Sequence, residues 1–152
     1  MNKIVRFFAL TGWVLPFLFL GGSMAEGYDK RFYDVIFAEV GGGPPEEVHA
    51  VTSVFMNRVY KEGYERALKG SSAYNKQSKE YLKAQKEAFN PFEKIVYERN
   101  KSIIDGLIAK PDTRLPYTHF ENVNAYGIPY WAKKAVKAKD IGRQRFYLLK
   151  EK

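Results

Sequence analysis

The chain has 152 residues, no cysteine, two histidines, and 25 Lys+Arg against 17 Asp+Glu, a net charge of +8. That length supports one domain with a real core and is short for two, while 45% hydrophobic and 28% charged content excludes a wholly disordered chain. The missing cysteines exclude a disulfide framework and a thiolate site, two histidines leave little for a zinc centre or a His-based triad, and the positive surplus points to an anionic partner.

The first 25 residues, MNKIVRFFALTGWVLPFLFLGGSMA, read as an export signal. Lys3 and Arg6 form the positive start, Phe7 to Leu20 the apolar stretch, and Ser23 and Ala25 the small residues before a cleavage point. The stretch is short for a membrane span, which needs about 20 apolar residues; an uncleaved N-terminal anchor is the alternative reading of the same pattern. Cleavage after Ala25 leaves 127 residues with 23 basic and 17 acidic side chains, a net +6. The expected destination is the periplasm, the cell wall or the outside of the cell, with membrane contact only through this segment.

From Tyr28, the residues Phe32, Tyr33, Ile36, Phe37 and Val40 fall at helical spacing. Gly41-Gly42-Gly43-Pro44-Pro45 must end that helix, and Pro45 with Glu46 and Glu47 suits the start of a second one. The second helix carries Val48, Val51, Phe55 and Val59 on one face and stops at Gly63. Residues 64–77 are polar and Tyr-bearing, with the loop expected at Gly70-Ser71-Ser72, and Ser78 to Ala88 reads as a charged helix with Tyr81, Leu82 and Gln85 as its weak apolar stripe. Asn90-Pro91 is a helix-opening pair, and the helix it opens carries Phe92, Ile95, Val96, Ile103, Ile104, Leu107 and Ile108 before Lys110-Pro111. Leu115 to Pro129 is rich in Pro, Asn, Tyr and Gly and reads as an ordered loop with one extended piece around Tyr117–Phe120. A short basic helix is expected over Trp131 to Lys139, and a strand or extended tail over Arg145 to Leu149. The expectation is a mainly α single domain over residues 26–152 with a small extended or β element near the C-terminus.

Glu39 stands out on physical grounds alone. It is a carboxylate in the last turn of an apolar helix, beside Phe37 and Ala38 and before a glycine-rich break. A helix C-terminus and apolar neighbours both disfavour ionisation, which suits a general acid working near neutral pH. The competing reading is an ordinary solvated helix glutamate.

The segment AEVGGGPPEEVHAVTSVFMNRV, Ala38 to Val59, resembles the SleB-type cell wall hydrolase family of spore-cortex and phage lytic enzymes. The family pattern A-E-x-x-G-x-P-x-E followed by A-V-x-x-V-x-x-N-R-V is met in register by Ala38, Glu39, Gly42, Pro44, Glu46, Ala50, Val51, Val54, Asn57, Arg58 and Val59. Tyr117-Thr118-His119-Phe120 with Asn122 is similar to the family's aromatic-plus-Asn stretch, and Trp131 with Ile141-Gly142 and Phe146-Tyr147 to its closing motif. The middle, between Gly63 and Lys110, matches weakly. The resemblance implies a lysozyme-like helical fold, cleavage of the MurNAc–GlcNAc bond of peptidoglycan by lytic transglycosylation, and Glu39 as the catalytic acid. One departure is the run Gly41-Gly42-Gly43, where the family carries charged or polar residues around its glycine; three glycines predict a looser loop beside the acid.

Most glycosidases flank the bond with two carboxylates. The sequence offers no second acid placed like Glu39; Asp112 and Glu121 fall in loops. A transglycosylase needs only one, because the substrate's own acetamido and 6-hydroxyl groups replace the second, and the product is a 1,6-anhydro sugar. Plain hydrolysis, as in a muramidase, remains the alternative. Sugar binding calls for flat aromatic faces and amide or hydroxyl partners. Tyr117, His119 and Asn122 lead that set, with Thr118, Tyr126 and Trp131 beside them and Ser72, Tyr74 and Asn75 as a weaker group. His49 reads as a packed or surface histidine, and Asn57 and Arg58 as structural, with a role for Arg58 in orienting Glu39 left open. No metal and no cofactor is expected, and the expected partner is the glycan strand, met by a monomer. Two further classes remain open: a non-catalytic basic wall-binding protein, and a nucleic-acid or anionic-lipid binder. The second is disfavoured by the export signal and because basic residues are interspersed with acids along the helices, except for Lys133–Lys139, which reads as a solvated face.

Overall fold

Asp29 opens the first helix, its carboxylate accepting the Arg31 backbone N–H at 2.9 Å. In the computed structural model, which describes residues 28–150, that helix is α1 (Lys30–Val40). The export segment read over residues 1–25 lies outside the described residues. α1 ends where Gly41 takes a positive φ of 48° and its N–H bonds the Phe37 carbonyl at 2.7 Å. α2 (Pro45–Glu62) follows with proline in its first turn and Glu46 and Glu47 at its positive end. Phe32, Val35, Ile36 and Val40 of α1 meet Val48, Val51, Val54 and Phe55 of α2 in one fully enclosed core.

The polar stretch after α2 is more ordered than a loop. It folds as α3 (Tyr64–Lys69) and the single turn α4 (Ser72–Asn75), with the break at Gly70-Ser71. α5 (Lys79–Gln85) is capped by Ser78, and α6 (Pro91–Ala109) by a reciprocal Asn90–Glu93 capping box. Tyr81 of α5 and Ile104 and Leu107 of α6 join the same core. Phe92 and Ile95, expected on the apolar face of α6, are instead 71% and 68% exposed, because the buried stripe of the helix runs through Val96, Asn100, Ile104 and Leu107. Asp34, 1% exposed, ties these helices together: Lys30 and the Tyr97 hydroxyl both donate to its Oδ1 at 2.8 Å, and Lys30 also reaches the Ala84 carbonyl.

Beyond a short 3-10 turn, Pro111–Thr113, the chain forms β1 (His119–Glu121), the single turn α7 (Val123–Tyr126), a second 3-10 turn (Tyr130–Lys134), β2 (Ala135–Ile141) and β3 (Gln144–Leu149). The strands make one antiparallel sheet in the order β1-β3-β2. The basic helix expected over Trp131 to Lys139 is therefore wrong in its second half. Ala135-Val-Lys-Ala-Lys-Asp-Ile141 pairs along β3 as a hairpin closed at Gly142, whose φ is +61°. The extended piece around Tyr117–Phe120 and the strand over Arg145 to Leu149 are as expected, each displaced by a residue or two. Phe146 is fully buried and rests on Tyr117 and Phe120, and Phe120 in turn rests on Phe55, so an aromatic ladder fixes the sheet against α2. Mostly helical with a small C-terminal sheet is the architecture. Among the described residues no helix is long and apolar enough to cross a membrane.

Candidate active-site cleft

Glu39 lies half-buried at the end of α1, on the wall of a cleft of about 570 Å³. The end of β1 and the turn after it also line the cleft, with Phe120, Glu121, Asn122 and Tyr126, as do Ser72, Ala73, Ser78 and Glu80 and Gln144 of β3. The Ser71 hydroxyl donates to Glu39 Oε1, and the Ala73 backbone N–H lies 3.4 Å from the same oxygen. Ser71 is 2% exposed and also accepts the Tyr74 N–H as the cap of α4, so its hydroxyl is held in one orientation. Oε2 accepts no hydrogen bond from any described residue. The apolar enclosure expected around Glu39 is only partial. Phe37, two residues earlier, turns the other way into a small cluster with Ala84 and Val96.

The glycine run beside Glu39 is held more firmly than its composition suggests. Asn100 donates to the Gly41 carbonyl at 3.0 Å, Arg99 to the Gly43 carbonyl at 2.7 Å, and Arg143 to the Val40 carbonyl. Arg143 is itself anchored by Glu47, which is fully buried and accepts the Arg143 backbone N–H at 3.0 Å. Three long side chains from distant elements thus brace the backbone next to the acid. Glu47 also explains two glycines: a Cβ on Gly142 would stand 2.1 Å from its Oε2, and one on Gly43 would stand 3.0 Å from its Cδ. Sequence reasoning treated Glu47 only as a helix-dipole residue. The Ile141-Gly142 pair was the one signal that something must approach that turn closely.

The sugar-binding candidates separate into three groups. Asn122 and Tyr126 line the Glu39 cleft, as does Ser72 of the weaker set. Thr118 and His119 line a neighbouring cleft instead. Trp131 packs its ring against His119 and Tyr147, at 5.1 Å from each. Tyr117 is in neither cleft: it is 2% exposed and belongs to the core against Phe146, because β1 begins after it and turns its ring inward. Tyr74 stacks edge-on against Tyr81, and Asn75 donates to the Lys69 carbonyl. Asn57 and Arg58 do hold structure. Asn57 donates to the carbonyls of Leu115 and Tyr117 at 2.7 and 2.9 Å, and Arg58 Nε to that of Thr118 at 2.9 Å, which pins the approach to β1 onto α2. His49 is half-buried beside Glu46, and burial lowers its pKa.

Two acids absent from the leading candidates come into the cleft. Glu121 lines it together with Glu39, its Oε1 accepting the Asn122 backbone N–H at 3.0 Å, and Glu80 lines it too. Asp112 stays away, in the exposed 3-10 turn after α6. Among the described residues no group of three or more His, Cys, Asp or Glu side chains is gathered closely enough to hold a metal ion. No family model matches the chain, and no curated protein and no solved structure matches it.

Proposed function

We propose that this chain is a peptidoglycan-cleaving glycosidase with Glu39 as its general acid and base, built on a lysozyme-like helical fold and working outside the cytoplasmic membrane. One observation carries the reading: a helix-end carboxylate with one oxygen clamped by Ser71 and the other bonded by no described residue, lining an open cleft with amide, hydroxyl and aromatic groups. The resemblance of Ala38 to Val59 to the SleB-type cell wall hydrolases supports the same residue from a separate direction.

In the lytic transglycosylase form of the reaction, Glu39 gives its proton to the glycosidic oxygen and the bond from the anomeric carbon of MurNAc to that oxygen breaks. The 6-hydroxyl of the same sugar then attacks the anomeric carbon and returns its proton to Glu39, closing a 1,6-anhydro ring with no water consumed. Asn122 and Gln144 are amides on the cleft wall suited to the substrate's acetamido group, and Tyr126 offers a flat face to a sugar ring.

A second reading has its own support. Glu121 lines the same cleft and offers a second carboxylate of the kind that hydrolysis through water requires, which supports a muramidase in which Glu121 activates the water. Mass spectrometry of murein digested by the purified chain separates the two. Anhydro-muropeptides mark the transglycosylase and reducing-end muropeptides the hydrolase. A wall-binding protein without catalysis would leave murein intact and would be indifferent to Glu39→Gln.

A further inference from the structure

A second cleft is larger than the one that holds Glu39. It has a volume of about 720 Å³ and lies between the end of α2, α3 and the approach to β1. Among its lining residues are Arg58, Lys61, Arg66, Lys69 and Lys150, against one carboxylate, Glu62. The Glu39 cleft has the opposite balance, with Glu39, Glu80 and Glu121 against Lys76.

The two clefts are neighbours along the same two walls. On one wall Gly70 lines the basic cleft, Ser71 binds Glu39, and Ser72 and Ala73 line the acidic cleft. On the other, Thr118 and His119 line the first and Phe120, Glu121 and Asn122 the second. Consecutive residues on both sides thus carry the lining from one cleft to the next. At the junction sits Arg58. Its Nε is held by the Thr118 carbonyl at 2.9 Å, and Nη1 lies so close to Gly70 that a Cβ there would stand 2.5 Å away, so the glycine makes room for the guanidinium. His119 reports the field in this cleft: burial, then Arg58 and Lys61, push its pKa down to about 4, so the ring is neutral at physiological pH and adds no charge of its own. A planar guanidinium fixed by its Nε, with Arg66 and Lys69 at exposed positions in the same cleft, is an arrangement that selects a carboxylate.

We propose that the Arg58 cleft is a second subsite that receives a carboxylate of the short peptide carried by the glycan strand while a sugar of that strand occupies the Glu39 cleft. This rests on the glycan-cleaving reading above and names the part of the substrate it left unassigned. Arg58 grips the peptide carboxylate, and the exposed Arg66 and Lys69 supply attraction and orientation. Recognition of the peptide end then sets which sugar bond lies over Glu39.

Binding, measured apart from turnover, tests this. The probes are two purified MurNAc–GlcNAc disaccharides, one bearing its tetrapeptide and one without peptide, titrated calorimetrically into the Glu39→Gln chain. The expected result is that the peptide-bearing form binds at least tenfold more tightly, and that the preference weakens with added salt. Arg66→Ser with Lys69→Ser changes only exposed positions, sparing the contact of Arg58 with Thr118, and should lower the preference about threefold and blunt its salt dependence while leaving the bare disaccharide unaffected. Equal affinity for the two disaccharides overturns the proposal, as does tighter binding of a glycerol-phosphate oligomer than of the peptide-bearing sugar. The glycan-cleaving reading fails separately: if the wild-type chain leaves murein uncut, that reading falls while the peptide preference can still be measured.

Discussion

Ser71 is the side chain on which the geometry of Glu39 most depends. Its hydroxyl is buried, bonds the carboxylate and caps α4 with the same atom. Ser71→Ala removes one hydrogen bond to a charged or reacting group and one helix cap, so activity on murein should fall about tenfold, with about 1 kcal/mol lost in stability. Turnover assays beside urea unfolding check both, and unchanged activity in a destabilised variant would separate the cap from the catalytic contact. His119 makes a different prediction. Its pKa falls from 6.5 to about 4 on folding, through burial and the nearby Arg58 and Lys61. The unfolded chain therefore binds a proton between those values that the folded chain refuses. His119's contribution is fully present above about pH 6.5 and declines as the pH drops towards 4. His119→Gln should flatten that part of the stability profile, measured as urea midpoints across the range. Parallel profiles for the two chains would contradict the assignment. Glu39 itself was legible in the sequence because its position in an apolar helix is local. Glu121 was not, because its place in the cleft with Glu39 depends on β1 pairing with β3 across more than twenty residues of chain.

At the scale of elements, the glycine break after α1 shows what local reading captures and what it misses. The break and both helices it separates follow from residue types alone. Its rigidity does not, since Arg99, Asn100 and Arg143 reach it from α6 and from the β2–β3 turn. The tail was misread for a related reason. Lys133 to Lys139 has no strong period, and only pairing with β3 puts its last five residues in a strand, five of whose seven residues remain exposed. Gly142 is the test of this account at the element scale. A Cβ there meets the buried carboxylate of Glu47, and the φ of +61° is unfavourable for any other residue. Gly142→Ala should cost at least about 2 kcal/mol, through backbone strain together with overpacking. Thermal melts provide the measure, and a loss below about 0.5 kcal/mol would show that the turn does not depend on this contact.

Across the whole molecule, a mostly helical body and a small sheet face each other over one continuous lining that changes from acidic to basic along its length. The helical periodicity, the caps and the C-terminal strand were readable from the amino acids, because each rests on neighbours in the chain. The division of the sugar-binding candidates between two clefts, and the burial of Tyr117, were not readable, because the inward or outward direction of each ring is set by strand pairing. The net charge also changes meaning at this scale. The surplus is not spread evenly, and five basic side chains against one acidic gather in the cleft next to the one that holds Glu39. The most direct measurement is a murein digest compared between the wild-type chain and Glu39→Gln, with products identified by mass spectrometry. The account predicts muropeptides released by the wild type, with a rate about 10²–10⁴-fold lower for the variant. Equal release by the two chains, or none by either, would contradict it.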